Sequence, residues 1–188
     1  MTGIIASNAG RSSGLVKAIA GGDSWTYNSE VATTSGTSVE FTSISSGVRH
    51  IWITFRAVGN TEDASLNCAI GDSGGYETSA YRSLSAVTSE DDIFQDVTDG
   101  FVLVGRDTRF DTNIRLTGMV ELIRNDSSTH QWTCWGQLHG HHQTGSSDNL
   151  NGFSGTKTLS AELDRVKFEI SAGAYDTGSI IMHSEGSP

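Results

Sequence analysis

Val48-Arg-His-Ile-Trp-Ile-Thr-Phe-Arg-Ala-Val-Gly59 is the stretch whose reading decides the fold. Ile51, Ile53, Phe55 and Ala57 share one parity; His50, Trp52, Thr54 and Arg56 share the other. Successive side chains of a strand point to opposite faces, so this run predicts a strand with one apolar inward face and one solvated face. Trp52 is the exception, a large ring on the polar parity. An exposed aromatic often marks a partner surface and a half-covered strand Trp is equally common, so Trp52 is a candidate partner-binding residue with that structural alternative beside it.

The same period of two recurs on both sides. Trp25 and Tyr27 alternate with Ser24 and Thr26, and Val39 and Phe41 with Glu40 and Thr42. Further along, Ile114, Leu116, Val120 and Leu122 share a parity, and Val166, Phe168 and Ile170 alternate with Arg165, Lys167 and Glu169. Ser45-Ser46-Gly47 and Asn125-Asp-Ser-Ser128 read as turns. In all, about nine or ten short strands are spaced as in a sandwich or barrel, with no βαβ pattern. Residues 85–100 and 139–155 read as long polar loops. Trp132 and Trp135 fall on opposite faces of one aromatic-rich strand, so one of them is expected in the core.

The 188 residues carry 22 glycines, one proline and a net charge of -10. No long window concentrates Ala, Leu, Glu and Lys, so helix is not predicted. With no cluster of Lys and Arg to neutralise phosphates, nucleic acid is not an expected partner. No apolar run approaches the length of a membrane span, so no membrane insertion is expected. The first residues lack the charged and apolar regions of a signal peptide, which predicts synthesis and assembly in a cytoplasm. Cys68 and Cys134 lie in apolar runs and are expected as buried free thiols.

Residues 1–22 differ from the rest. Their few apolar residues cannot close a core, and a terminal segment orders only when docked. This division gives an N-terminal assembly arm over residues 1–22, with a plain packed terminus as the alternative, and a β-sandwich domain over residues 23–188. Arg11, Leu15, Val16, Lys17 and Ile19 are the candidate partner-binding residues of the arm.

Three motifs invite chemistry. Gly71-Asp-Ser-Gly-Gly75 has the look of a trypsin-like nucleophile segment. Such a triad needs a histidine and an aspartate converging on the serine, usually from a barrel earlier in the chain. Only 72 residues precede Ser73, and their one histidine, His50, sits mid-strand. The motif is therefore read as a tight turn, Gly74 and Gly75 supplying positive φ and Asp72 and Ser73 bonding local amides. His139, His141 and His142 have the types that ligate zinc or nickel but lack a complete ligand set in sequence, so no metal is assigned; an oligomer axis would be needed to complete one. The acidic run from Glu90 to Asp99 lacks the spacing of a calcium loop. No catalytic residue and no cofactor is assigned.

Ser35-Gly-Thr-Ser-Val-Glu-Phe-Thr-Ser-Ile-Ser-Ser-Gly-Val-Arg49, Ile51-Trp-Ile-Thr-Phe55, Ile70-Gly-Asp-Ser-Gly-Gly-Tyr-Glu-Thr-Ser-Ala-Tyr81, Gly155-Thr-Lys-Thr-Leu-Ser-Ala-Glu-Leu-Asp-Arg-Val166 and Asp176-Thr-Gly-Ser-Ile-Ile181 follow in this order. As a set they resemble a family of tailed-bacteriophage and prophage virion structural proteins. Gly10-Arg-Ser-Ser-Gly-Leu-Val-Lys-Ala18 resembles a leader that precedes β-domains in marine and cyanobacterial phage structural proteins. The resemblance implies an all-β, jelly-roll-like antiparallel β-sandwich with a short N-terminal arm, a homotrimer on the outer surface of a virion, and no enzyme. Two placements follow from it. The first is a capsid decoration or cement protein bound to the major capsid protein shell, favoured by small size, acidic surface and the arm. The second is a short tail fibre or receptor-binding tip contacting host surface glycan, favoured by the aromatics and the long loops.

Overall fold

In the computed structural model, residues 24–87, 93–94, 99–105, 110–126, 128–145 and 148–186 are described. The arm residues Arg11, Leu15, Val16, Lys17 and Ile19, and most of the acidic run between residues 88 and 98, lie outside them. Every regular element among the described residues is a strand. These are β1 (Ser24–Ala32), β2 (Ser38–Phe41), β3 (Val48–Asn60), β4 (Leu66–Asp72), β5 (Gly75–Tyr76), β6 (Arg82–Val87), β7 (Ile93–Phe94), β8 (Phe101–Val104), β9 (Ile114–Asp126), β10 (Gln131–His142), β11 (Asn149–Thr158), β12 (Arg165–Ile170) and β13 (Tyr175–Gly186).

The strands form an antiparallel sandwich. A large sheet has the order β1-β13-β3-β9-β10-β11-β6-β7; a small sheet has the order β2-β12-β4-β5, with β8 also paired to β4. The chain crosses between the sheets repeatedly, from β1 through β2 and β3 to β4, from β5 to β6, from β7 through β8 to β9, and from β11 through β12 to β13. That wrapping, first strand beside last, is the jelly-roll order.

Alternation builds the core. Ile51, Ile53 and Phe55 of β3, Leu116, Val120 and Leu122 of β9, and Trp132 and Cys134 of β10 face inward from the large sheet. Val39 and Phe41 of β2, Leu66, Cys68 and Ile70 of β4, and Val166 and Phe168 of β12 face them from the small sheet. Phe168 is central, its ring edge-on to Phe55 at 5.1 Å and to Phe41 at 6.5 Å. Trp132 is 1% exposed and Trp135 is 47% exposed, as the parity of β10 requires. Both cysteines are free and buried, and burial pushes their thiols up.

Three expectations are corrected. The alternation in β3 does not run through Ala57. A bulge between Phe55 and Val58 puts Ala57 at φ 50° and exposed, and returns Val58 to the core. The region around residues 139–155 is largely strand: β10 runs to His142 and β11 starts at Asn149. From residue 140 to residue 151 its inward positions in the strands are Gly140, Asn149 and Asn151, so the apolar half of the alternation is missing there and returns only at Phe153. The Asn151 amide donates to Asn149 Oδ1 at 2.7 Å, while its own Oδ1 is buried with no hydrogen-bond partner among the described residues. Residues 85–100 begin in the same way, since Ser85, Ala86 and Val87 belong to β6.

An ion pair spans the two sheets at the margin of the core. Lys157 of β11 is buried and its Nζ lies 2.7 Å from Glu77 Oε2, just beyond β5. The Ser160 amide donates to Glu77 Oε1 at 2.7 Å, and the Ser160 hydroxyl donates to Asp72 Oδ2 at 2.5 Å. Burial alone would raise the Glu77 carboxyl, but the bonds from Lys157 and Ser160 hold it below its ordinary range. Close by, the Tyr81 hydroxyl donates to the Ile70 carbonyl and accepts from the Ile70 amide, both at 2.9 Å. Ile70 lies between the part of β4 paired with β8 and the part paired with β5. The tyrosine therefore fills a gap in the ladder, giving the buried Ile70 amide its partner, while the Ile70 carbonyl also takes the Glu77 amide at 3.1 Å.

Candidate functional site

The outer face of the large sheet follows from the same alternation that builds the core. Every inward residue leaves its neighbours outward, and the sheet order brings outward residues of non-adjacent segments side by side. One cross-strand row reads Tyr27, His183, Trp52, Glu121, Trp135, Ser154, Leu84, on β1, β13, β3, β9, β10, β11 and β6 in turn. The row beside it begins Trp25, Glu185, His50, Ile123, Thr133. Trp25, Tyr27, Leu84, Met119 and Trp135 are the large apolar side chains left exposed among the described residues, and all five lie on this face.

The aromatic end is held in place by contacts within the face. Trp25 meets His50 edge-on at 5.2 Å and Trp52 edge-on at 5.8 Å, while His50 stacks with Trp52 at 5.9 Å. Tyr27 meets His183 edge-on at 5.2 Å. The Trp52 indole N–H donates to Met119 Sδ at 2.7 Å, which fixes the half-buried ring. His50 Nε2 is 3.3 Å from Glu121 Oε2, and its Nδ1 is 3.7 Å from Glu185 Oε2. Three shallow depressions mark the face. One of about 430 Å³ lies among Trp25, Trp52, Met119 and His183. A second of about 420 Å³ lies among Met119, Glu121, Trp135 and His139, and a third of about 400 Å³ among Arg82, Leu84, Ser154 and Thr156. Apolar ring faces beside polar groups that can donate and accept form a surface for an amphipathic ligand.

Trp52 is thus the one described member of the sequence candidates, and it stands in the middle of this face. Trp25, Tyr27, Met119 and Leu84 were missed as partners. Alternation predicts the parity of Trp25 and Tyr27, but only the non-local sheet order brings them to Trp52 and Trp135.

The Gly71-Asp-Ser-Gly-Gly75 segment lies on the small sheet. It forms the turn from β4 to β5, with the Gly74 amide donating to Asp72 Oδ1 at 2.7 Å. The Ser160 hydroxyl, then the Gly74 amide, hold the Asp72 carboxyl below its ordinary range. Gly75 has φ 138°, and a side chain on Gly71 would meet the Gly75 carbonyl at 2.1 Å, so both glycines answer to backbone geometry. Gly74 does not have positive φ. Ser73 is exposed, while His50 lies on the outer face of the other sheet with its two glutamates.

The histidines of β10 gather around one carboxylate. His139 Nε2 is 3.3 Å from Asp148 Oδ2, His141 Nδ1 is 3.2 Å from Asp148 Oδ1, and the His142 amide donates to Asp148 Oδ1 at 3.1 Å. The His142 amide, then the two imidazoles, hold the Asp148 carboxyl below its ordinary range. The His142 ring turns elsewhere and takes the Thr144 amide at 3.3 Å. Among the described residues no group of three or more His, Cys, Asp or Glu is arranged to hold a metal ion.

No family model matches the chain, and no curated protein matches it.

Proposed function

We propose that this protein is a non-catalytic attachment module of a phage virion, a receptor-binding element that holds host-surface carbohydrate on the outer face of its large sheet. The observation that carries the reading is the row Tyr27, Trp52, Trp135 and Leu84, interleaved with His183, Glu121 and Ser154. Sugars offer apolar C–H faces ringed by hydroxyls. Aromatic faces take the first and neighbouring carboxylates, imidazoles and hydroxyls take the second. The virion setting rests on the family resemblance. A homotrimer, also implied by it, would present three such faces, so that weak single contacts add through multivalency.

The capsid-decoration placement fits the face less well. Permanent interfaces are more apolar than transient ones and depleted of charge at their centres. Here Glu30, Arg56, Glu121, Glu185 and Arg82 run through the face.

A printed glycan array, probed with the full chain and with the Trp25→Ala and Trp135→Ala variants, tests the reading. Binding to a defined set of glycans that both variants lose is expected. Binding to no glycan, together with stoichiometric binding to purified capsid shells, would contradict it and place the chain on the head.

A further inference from the structure

We infer that the ligand is a single extended β-1,4-linked chain of neutral or N-acetylated hexoses lying across the strands, with successive disaccharides over Tyr27, Trp52 and Trp135. This rests on the carbohydrate reading of the face. In the central row, the rings stand on β1, β3 and β10, and each pair of successive rings is separated by one intervening strand. Strands lie about 4.8 Å apart, so the rings recur at about 10 Å. That recurrence matches the disaccharide repeat of an extended β-1,4-linked hexose chain, where every second ring presents the same face. An α-1,4-linked chain coils and does not hold that period.

The residues between the rings complete the match. His183 and Glu121 stand on the intervening strands β13 and β9, level with the sugar ring that is not stacked. The depressions at Trp52 and Trp135 adjoin at Met119, which lines both. Charge narrows the choice. Glu121 is the charged carboxylate in the central row and Glu185 lies in the row beside it, while Arg56 and Arg82 stand outside the ring row, so uronic or phosphorylated sugars are disfavoured over the rings. Sheet twist excludes a flat crystalline surface. Neighbouring strands rotate by about 20–25°, so a rigid plane cannot touch all three rings, while one flexible chain can turn with them.

Calorimetric titration of the full chain tests the inference, using the di-, tetra- and hexasaccharides of cellulose and of chitin, with maltohexaose and oligogalacturonate as comparators. Affinity is expected to rise about tenfold for each added disaccharide up to the hexasaccharide, as one more stacking contact is made. Trp135→Ala and, separately, Tyr27→Ala should each reduce hexasaccharide affinity to the tetrasaccharide level with unchanged thermal melting. Length-independent affinity, or preference for maltohexaose or oligogalacturonate, would overturn the inference and leave the carbohydrate reading standing. So would failure of every titrated sugar while other glycans bind on the array. Failure of all glycans in both assays would overturn both.

Discussion

The two sheets of this sandwich treat their outer aromatics in opposite ways. On the small sheet, Tyr76 is roofed by cations: Lys167 Nζ lies 5.1 Å and Arg165 Cζ 5.7 Å from its ring centre. Its hydroxyl donates to Glu40 Oε2 at 3.2 Å. Burial, then the Glu40 charge, pushes the phenol up. Those cations are themselves engaged, Lys167 with Glu169 at 2.7 Å and Arg165 with Asp164 at 2.9 Å. On the large sheet, Trp25, Tyr27 and Trp135 stand uncovered, Tyr27 being 56% exposed. The chain can close an aromatic under its own charges, and on the large sheet it does not. Rings left open in a connected band contribute little to folding, and the difference between the faces is the reason to assign binding to one of them.

Stability thus lies between the sheets, and the proposed recognition lies on the outer face of the large one. The largest expected effect on stability is at the intersheet ion pair. Lys157→Ala leaves Glu77 without its partner and should cost about 3–5 kcal/mol in urea unfolding, while glycan binding per folded molecule is retained. The double variant Lys157→Met with Glu77→Leu should recover most of that loss, because removing both charges leaves neither stranded.

Acid comes next. Asp72, Glu77 and Glu162 have carboxyls held below their ordinary range in the fold. For Glu162 the causes are first the Gly47 amide, then the Ser46 hydroxyl and the Arg124 charge. Their contribution is fully present above the ordinary carboxylate range of about pH 4 and is lost as pH falls through the lowered folded values. Thermal melting should therefore be flat near neutrality and fall steeply below about pH 4. Glu162→Gln should make that fall shallower.

Smaller still is the roofed tyrosine. Tyr76→Ala removes both cation contacts and should cost about 1–2 kcal/mol without changing ligand binding. The smallest stability effect is expected where the binding effect is greatest. Trp25→Ala, Tyr27→Ala and Trp135→Ala should each shift stability by no more than about 0.5 kcal/mol. A large loss of stability in these variants would make the exposed rings structural and erase the contrast between the faces.

How much of this was legible beforehand depends on where the apolar signal sits. Alternation exposes β3, β9 and β12 because Ile51, Ile53, Leu116, Leu122, Val166 and Phe168 are all apolar and inward. It hides the end of β10 and the start of β11, whose inward residues are glycine and asparagine. It also gives no sign of the bulge at Ala57, a shift set by pairing to β9 and β13 rather than by residue type. The candidate face was half legible. Trp52 stands out on the wrong parity, and Trp135 must oppose Trp132. Their placement in one row with Tyr27 depends on β13 entering between β1 and β3 from the far end of the chain.

Hydroxyl-radical footprinting of the full chain, with and without a glycan selected on the array, reads both faces at once. The account predicts protection of Trp25, Tyr27, Met119 and Trp135 on ligand addition, with oxidation of Tyr76 unchanged. Protection at Tyr76, or no change at the four large-sheet residues under saturating ligand, would contradict it.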